Sequence, residues 1–314
     1  MVRMKSFIIF FLLMVGGKDS FAQDCKNYEQ KGEEALLAEN YEEAVKCLSK
    51  AYELCKSPRA ASNLGYCYQK GLGVKTDYKL AVSYYYVGAK AGYAEAKCNL
   101  AFMYYNGYGV EKNYEEAIAW FEEAANQGNI IAQVELGDCY AEGSGVNKNY
   151  TKAVEWYRKA ALKGDATAEE NLADCYYEGL GVGQSYLDAA KWYSKAANQG
   201  MARSQFNLGL MYSEGLGVMQ DYSVAIEWYK KAADQGNGDA MFCLANKYFN
   251  GNGVAQDYSK AFGLYRQAAN KGHYEAMDMI SWCYENGLGV LKDMNQANYW
   301  KQKAIETEKE LNGK

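Results

Sequence analysis

The 314-residue chain contains a single histidine, and that scarcity removes whole classes of chemistry at the outset. A Ser-His or Cys-His nucleophile pair would have to be built on His273, and no serine or cysteine stands beside it. None of the nine cysteines forms a Cys-x-x-Cys pair, so the usual zinc frameworks are missing and no metal site is expected. Neither Ser-x-x-Lys nor Gly-x-Ser-x-Gly occurs, which removes two common signatures of an activated serine. Positive charge is also short, with 34 Lys and Arg against 39 Asp and Glu and a net charge of −5. The first 22 residues hold Arg3, Lys5 and Lys18 against Asp19 alone, so the remainder is more acidic still. Such a balance suits neither nucleic acid nor an anionic lipid surface.

Long apolar runs are absent after residue 22, and the one before it has the look of a leader. Arg3 and Lys5 precede the apolar stretch SFIIFFLLMV at 6–15, and SFA at 20–22 offers small residues where a signal peptidase reads. Residues 1–22 are therefore expected to be a signal peptide cleaved after Ala22. A membrane anchor would need roughly 20 apolar residues, and Gly16, Gly17, Lys18 and Asp19 interrupt the run. A lipoprotein is disfavoured because no Leu-x-x-Cys tetrad precedes Cys25. The expected product has no transmembrane span and is exported, to a periplasm or beyond the cell.

What is present in abundance is glycine at a fixed interval. Gly-x-Gly-Val begins at 71, 107, 143, 179, 215, 251 and 287, a step of 36 residues without insertion. Seven residues before each first glycine stands Leu64, Leu100, Leu136, Leu172, Leu208, Leu244 or Ile280, followed by a small residue and, three further on, always a tyrosine. These offsets share one helical face, so a short amphipathic helix, helix A, precedes each glycine pair. After the glycines, Asp77, Asn113, Asn149, Ser185, Asp221, Asp257 and Asp293 form a column of helix N-cap residues. An alanine column and an aromatic pair such as Trp192-Tyr193 follow, and Gly92, Gly128, Gly164, Gly200, Gly236 and Gly272 close this helix B. Each unit is a helical hairpin.

A phosphate-cradling dinucleotide loop follows a strand, reads Gly-x-Gly-x-x-Gly and is used once. Here the glycines follow a helix and recur seven times, so they read as joints: the first ends helix A, the second permits a sharp reversal, and the valine tucks into the core. No cofactor is expected.

At these residues the chain resembles the Sel1-like repeat family, a branch of the tetratricopeptide-type hairpins, as in ARSQFNLGLMYSEGLGVMQDYSVAIEWYKKAADQG at 202–236. The resemblance covers 59 to about 305. The resemblance implies an all-α fold, a right-handed α-α superhelical solenoid in which each hairpin covers the apolar side of the next. The expected organisation is a tetratricopeptide-like capping hairpin over 23–57, carrying Gly32, Ala44, Leu48 and Ala51, then seven Sel1-like repeats over 58–314 closed by a C-terminal capping helix. The family's character implies a non-enzymatic scaffold or adaptor that takes a protein or peptide partner on a concave groove lined by helices A. Two other readings stay open: a module for cell-wall peptide or glycan, and a β-lactamase-like hydrolase, as some cysteine-rich relatives have been described.

Residues at groove-facing offsets are Tyr66, Phe102 and Tyr105, then Asp138, Glu142, Glu170, Asp174, Tyr177 and Glu178, then Phe206, Phe242, Phe249 and Trp282. An acidic centre between exposed aromatic ends would suit a segment carrying Lys or Arg between apolar anchors. An ordinary solvated helix face is the plainer alternative. A recurring asparagine, Asn63, Asn99, Asn171 and Asn207, would hold either a neighbouring loop or a peptide backbone. Cys67, Cys139, Cys175 and Cys283 share a column filled elsewhere by Met103 and Met211, so they read as free, buried hydrophobes. Cys25 and Cys55, at the start of one helix and the end of its antiparallel partner, are the best disulfide candidates.

Overall fold

The structure is a computed structural model that describes residues 22–312. The expected signal peptide, up to residue 21, and the last two residues of the expected C-terminal cap lie outside the described residues. Among the described residues there are sixteen helices and no strand. The first helices of the hairpins are α1 (22–37), α3 (Pro58–Lys70), α5 (Ala94–Asn106), α7 (Ile130–Glu142), α9 (Ala166–Glu178), α11 (Ala202–Glu214), α13 (Gly238–Asn250) and α15 (Tyr274–Asn286). The second helices are α2 (Tyr41–Cys55), α4 (Tyr78–Lys90), α6 (Tyr114–Asn126), α8 (Tyr150–Ala161), α10 (Tyr186–Asn198), α12 (Tyr222–Asp234), α14 (Tyr258–Asn270) and α16 (Met294–Asn312). The helices fall into two compact units, one up to Asn149 and one from Tyr150 onward.

Within the first unit, α3 packs on α4 and α5 on α6, while α4–α5 and α6–α7 contacts join successive hairpins. Within the second unit the pairs are α9–α10, α11–α12, α13–α14 and α15–α16, linked in the same way. The side chains that close these contacts are the repeating columns. Leu64, Leu100, Leu136 and Leu172 are fully buried, as are Ala81, Ala117, Ala153, Ala189, Ala225 and Ala261. Beside them sits the ring that recurs four residues after each alanine, Tyr85, Phe121, Tyr157, Tyr193, Tyr229 or Tyr265, each at most 4% exposed. A small residue faces that ring for a reason of space: a Cβ added to Gly209 would lie 2.7 Å from the Tyr229 ring.

Local hydrogen bonding explains why the hairpins form where they do. Gly71, Gly107, Gly143, Gly179, Gly215, Gly251 and Gly287 each take the left-handed conformation and end helix A. The loop is then pinned by the N-cap residue of helix B, whose N–H donates to the carbonyl of the helix A tyrosine, as from Asp77 to Tyr68 at 3.0 Å and Asp221 to Tyr212 at 2.9 Å. The cap side chains accept from the first turn, Asp77 from Leu80 N–H and Asp257 from Lys260 N–H.

The second glycine does more than reverse the chain. Gly217, at φ 68°, lies against the backbone carbonyl of Tyr186, the first residue of α10 in the preceding repeat, and Gly73, Gly109, Gly181 and Gly289 meet Tyr41, Tyr78, Tyr150 and Tyr258 in the same way. Each glycine loop is thus seated on the hairpin before it, an approach that any Cβ would block. The valines after it stay half-buried rather than entering the core, because the loop lies at the surface end of the hairpin. A second clasp joins successive hairpins: Gln199 donates to Gly164 C=O at 3.0 Å and to Glu169 at 2.8 Å, and Gln235 repeats this with Gly200 C=O and Gln205.

Candidate partner-binding face

The exposed side of the first helices holds the residues singled out above, and the two units treat them differently. In the first unit Tyr66 is 44% exposed. Phe102 is half-buried, edge-on to Phe121 at 5.1 Å, and Tyr105 is edge-on to Tyr114 at 5.0 Å. On α7, Asp138 is half-buried and Glu142 exposed, with Ser144 Oγ donating to Glu142 at 3.2 Å. Glu135 completes this set. It stands in the asparagine column, one turn before Asp138 and two before Glu142, and burial together with those two carboxylates pushes its pKa up to about 7. No Lys or Arg lies within α7.

In the second unit the expected acidic centre is already occupied by the chain itself. Arg203 on α11 donates through Nε to Glu170 at 2.8 Å, and its terminal nitrogen contacts both Glu170 and Asp174 at 2.8 Å. Ser204 Oγ adds a bond to Glu170 at 2.6 Å, and the Tyr193 hydroxyl donates to Asp174. Glu170 is buried, and burial holds the Asp174 carboxyl above its usual range despite these donors. Asp174 and Glu170 therefore act between neighbouring first helices rather than facing a partner's cation. Tyr177 lies edge-on to Tyr186 at 5.2 Å, and Glu178 is exposed.

The phenylalanines expected as exposed anchors are half-buried and ring-packed instead. Phe206 lies against Tyr229 at 6.1 Å, Phe242 against Tyr265 at 5.8 Å and the His273 ring at 4.4 Å, and Phe249 against Tyr258 at 5.0 Å and Trp282 at 5.4 Å. Helical offset fixes direction but not depth, and the tyrosines of the second helices rise to meet these rings. Trp282, at 43%, stays exposed. The asparagine column binds neighbouring side chains rather than loops where its partners are defined: Asn63 donates to Glu33 on α1 at 3.4 Å, and Asn207 meets the Tyr193 hydroxyl.

Cys25 and Cys55 are joined as a disulfide, with Cα atoms 6.2 Å apart. The other seven cysteines are free, six of them buried, and burial pushes Cys139 and Cys175 up to about 12, well away from thiolate chemistry. His273 caps α15, accepting from Ala276 N–H through Nδ1, while Nε2 faces Asp239 at 3.4 Å and Glu275 at 3.5 Å. Among the described residues no group of His, Cys, Asp and Glu could hold a metal ion, and no helix is long and apolar enough to cross a membrane. A serine–lysine pair that no short motif announces does exist: Lys247 Nζ lies 2.6 Å from Ser213 Oγ, with the lysine pKa lowered by burial. Ser213 is only 2% exposed, so its hydroxyl is shut off from any substrate.

The Sel1 repeat family model matches residues 29–54, 58–93, 94–129, 130–165, 166–201, 202–237, 238–273 and 275–306. The chain belongs to the Sel1 repeat family. Its first match falls on the N-terminal hairpin, which the sequence likens to an ordinary tetratricopeptide repeat because it lacks the glycine loop. Among solved structures, a protective antigen of uropathogenic Escherichia coli displaying an SLR fold aligns at 33% identity and TM-score 0.87 over 94% of this chain. The present chain spans 64% of that antigen's length. A Sel1 repeat protein from Oxalobacter formigenes aligns at 33% identity and TM-score 0.67, covering 78% of this chain and 96% of that one. No curated protein matches. With these likenesses, the all-α solenoid of paired hairpins expected from the columns is the fold of this Sel1 repeat protein, and such repeats generally mediate protein interactions.

The charge set on α7 has a consequence for stability. Folding raises the pKa of Glu135 above the ordinary glutamate value of 4.5, so the folded state binds more protons and ionisation of Glu135 opposes folding. That penalty is absent below pH ~4.5, grows between there and pH ~7, and is complete above. Glu135→Gln is expected to leave the urea midpoint unchanged at pH 4 and to stabilise the protein by roughly 1 kcal/mol at pH 8, after allowing for the group's partial exposure. Equal effects at both pH values would contradict the assignment.

Proposed function

We propose that this Sel1 repeat protein is an exported, non-enzymatic scaffold that captures a basic protein or peptide segment on the exposed face of its first helices. The observation that carries this reading is the pair Glu135 and Glu142 on α7, two carboxylates on one face of a helix that has no basic residue of its own, where burial makes negative charge at Glu135 costly. A lysine or arginine from a partner would lower that cost, and Tyr105 on α5, the preceding first helix, and Tyr66 on α3 before it supply ring surface for the flanking residues. Scaffolding is also what the family generally does. Export rests on the sequence of residues 1–22 and agrees with the antigenic role of the E. coli relative; a product that stays in the cytosol with residues 1–22 still attached would remove it.

The test is carboxyl-to-lysine crosslinking in the producing cells, followed by mass spectrometry. Crosslinks from Glu135, Asp138 or Glu142 to lysines of one recurrent partner are expected, and a lysine-to-lysine reagent, which does not use these carboxyls, should recover that partner at least ten-fold less from the variant Glu135→Gln/Asp138→Asn/Glu142→Gln. Capture that is unchanged in the triple variant would overturn the proposal. A hydrolytic role draws no support from the site, because the one close serine–lysine pair, Ser213 and Lys247, has its serine buried.

A further inference from the structure

The last hairpin breaks the rule that the other repeats obey. Tyr85, Phe121, Tyr157, Tyr193, Tyr229 and Tyr265 fill the space beside the small residue of helix A, and 36 residues after Tyr265 the register puts Lys301. Lysine cannot fill that slot. Its ammonium turns outward to Asp278 at 2.9 Å, with the side chain 59% exposed. Asp278 itself stands where Phe206 and Phe242 brace the ring in the two preceding repeats. The space left behind is a cavity of about 570 Å³, lined by Ser281, Ala297, Phe249, Trp282, Met279 and Met294 among others. That volume lies within the roughly 300–1,000 Å³ of small-ligand sites.

We infer that this cavity is a binding slot for a tyrosine side chain presented by a peptide. The protein supplies the template: in the repeat of α3 and α4 the Tyr85 ring lies against Gly65 and its hydroxyl donates to Gln69 at 2.6 Å. In the last repeat Ser281 stands at the register of Gly65 and Glu285 at the register of Gln69, both on the cavity wall. A bound phenol therefore meets a small residue beneath its ring and a carboxylate acceptor at its hydroxyl. Phe249 and Trp282, 5.4 Å apart, form the aromatic wall. A polar end that keeps the array soluble accounts for Lys301, but not for Trp282 and Met294 left 43% and 47% exposed at the rim. The slot is independent of the α7 carboxylates.

The experiment titrates N-acetyl-tyrosinamide into protein carrying ¹³C-methyl methionine and follows Met279 and Met294 by NMR. Saturable shifts at these two methyls are expected, with a Kd on the order of 1 mM for a single ring. Lys301→Tyr, which restores the repeat's own ring, should fold normally and weaken binding at least ten-fold, while N-acetyl-phenylalaninamide binds several-fold more weakly than the tyrosine probe. No saturable shift in the unaltered protein, or equal binding by Lys301→Tyr, would overturn the slot. Equal binding of the two probes would overturn Glu285 as the acceptor. A dimer that disappears in Lys301→Tyr would overturn it too, by assigning the slot to a second copy of the chain.

Discussion

Gly217→Ala is expected to cost about 3–5 kcal/mol, while Gly200→Ala costs only about 1 kcal/mol, although both glycines have positive φ and both lie in turns. Gly217 has φ 68° and Gly200 φ 96°, so each substitution carries the conformational penalty of placing a side chain in the left-handed region. The difference is what a methyl group would meet. At Gly200 there is open space, whereas at Gly217 the Cβ would fall on the Tyr186 carbonyl and the amide of Leu187 in the preceding hairpin. Backbone cannot step aside as a flexible side chain can, so the loop must lift off α10 and surrender the contact between repeats. Urea midpoints of the two variants read the contrast, and equal loss in both would mean that only φ matters.

Removing Arg203 is the second large effect. Arg203→Ala is expected to cost about 2–4 kcal/mol, because it strands the carboxylate of Glu170, whose side chain is only 8% exposed, and leaves Asp174 without its cation. Arg203→Lys should recover only part of this. A lysine ammonium cannot place one donor along the Glu170 oxygen and another between the two acids, as the guanidinium fork does. Substituting Arg203 and Glu170 together by methionine should restore much of the stability, since the penalty comes from the stranded charge rather than from the absence of a bond. Stability within 0.5 kcal/mol of the unaltered protein for Arg203→Ala would show that water already satisfies Glu170.

The hairpins were legible because their determinants are local. An N-cap such as Asp257 acts on Lys260 three residues later, and Gly251 ends its own helix by donating to Lys247 four residues earlier, so the columns carry the information. What the columns could not carry is the partner of each outward residue. Arg203 finds Glu170 33 residues away, Gln199 finds Gly164 35 residues away, and Gly217 finds Tyr186, all across hairpin boundaries that the period marks without describing. The acidic centre of the second unit therefore looked open in the sequence and is closed in the structure. Phe206 and Phe242 were placed on the right face but not at the right depth, because the tyrosines that cover them come from the second helices.

Departures from the columns proved more informative about function than the columns themselves. Glu135 replaces the asparagine of its column, and the result is a carboxyl near neutrality beside two others. Lys301 replaces an aromatic ring, and the result is a cavity. Both substitutions are visible in the aligned repeats, yet their meaning depends on knowing what the regular residue touches.

The central claim is that the doubled glycines are joints seating each hairpin on the one before it. Hydrogen exchange of Gly217→Ala, read by mass spectrometry against the unaltered protein, tests it most directly. The seated loop predicts faster exchange both in 215–221 and in the first turns of α10 around Ala190, the amide that the Tyr186 carbonyl accepts from. Gly200→Ala should leave those α10 amides unchanged. Faster exchange confined to 215–221, with α10 as well protected as before, would contradict the claim.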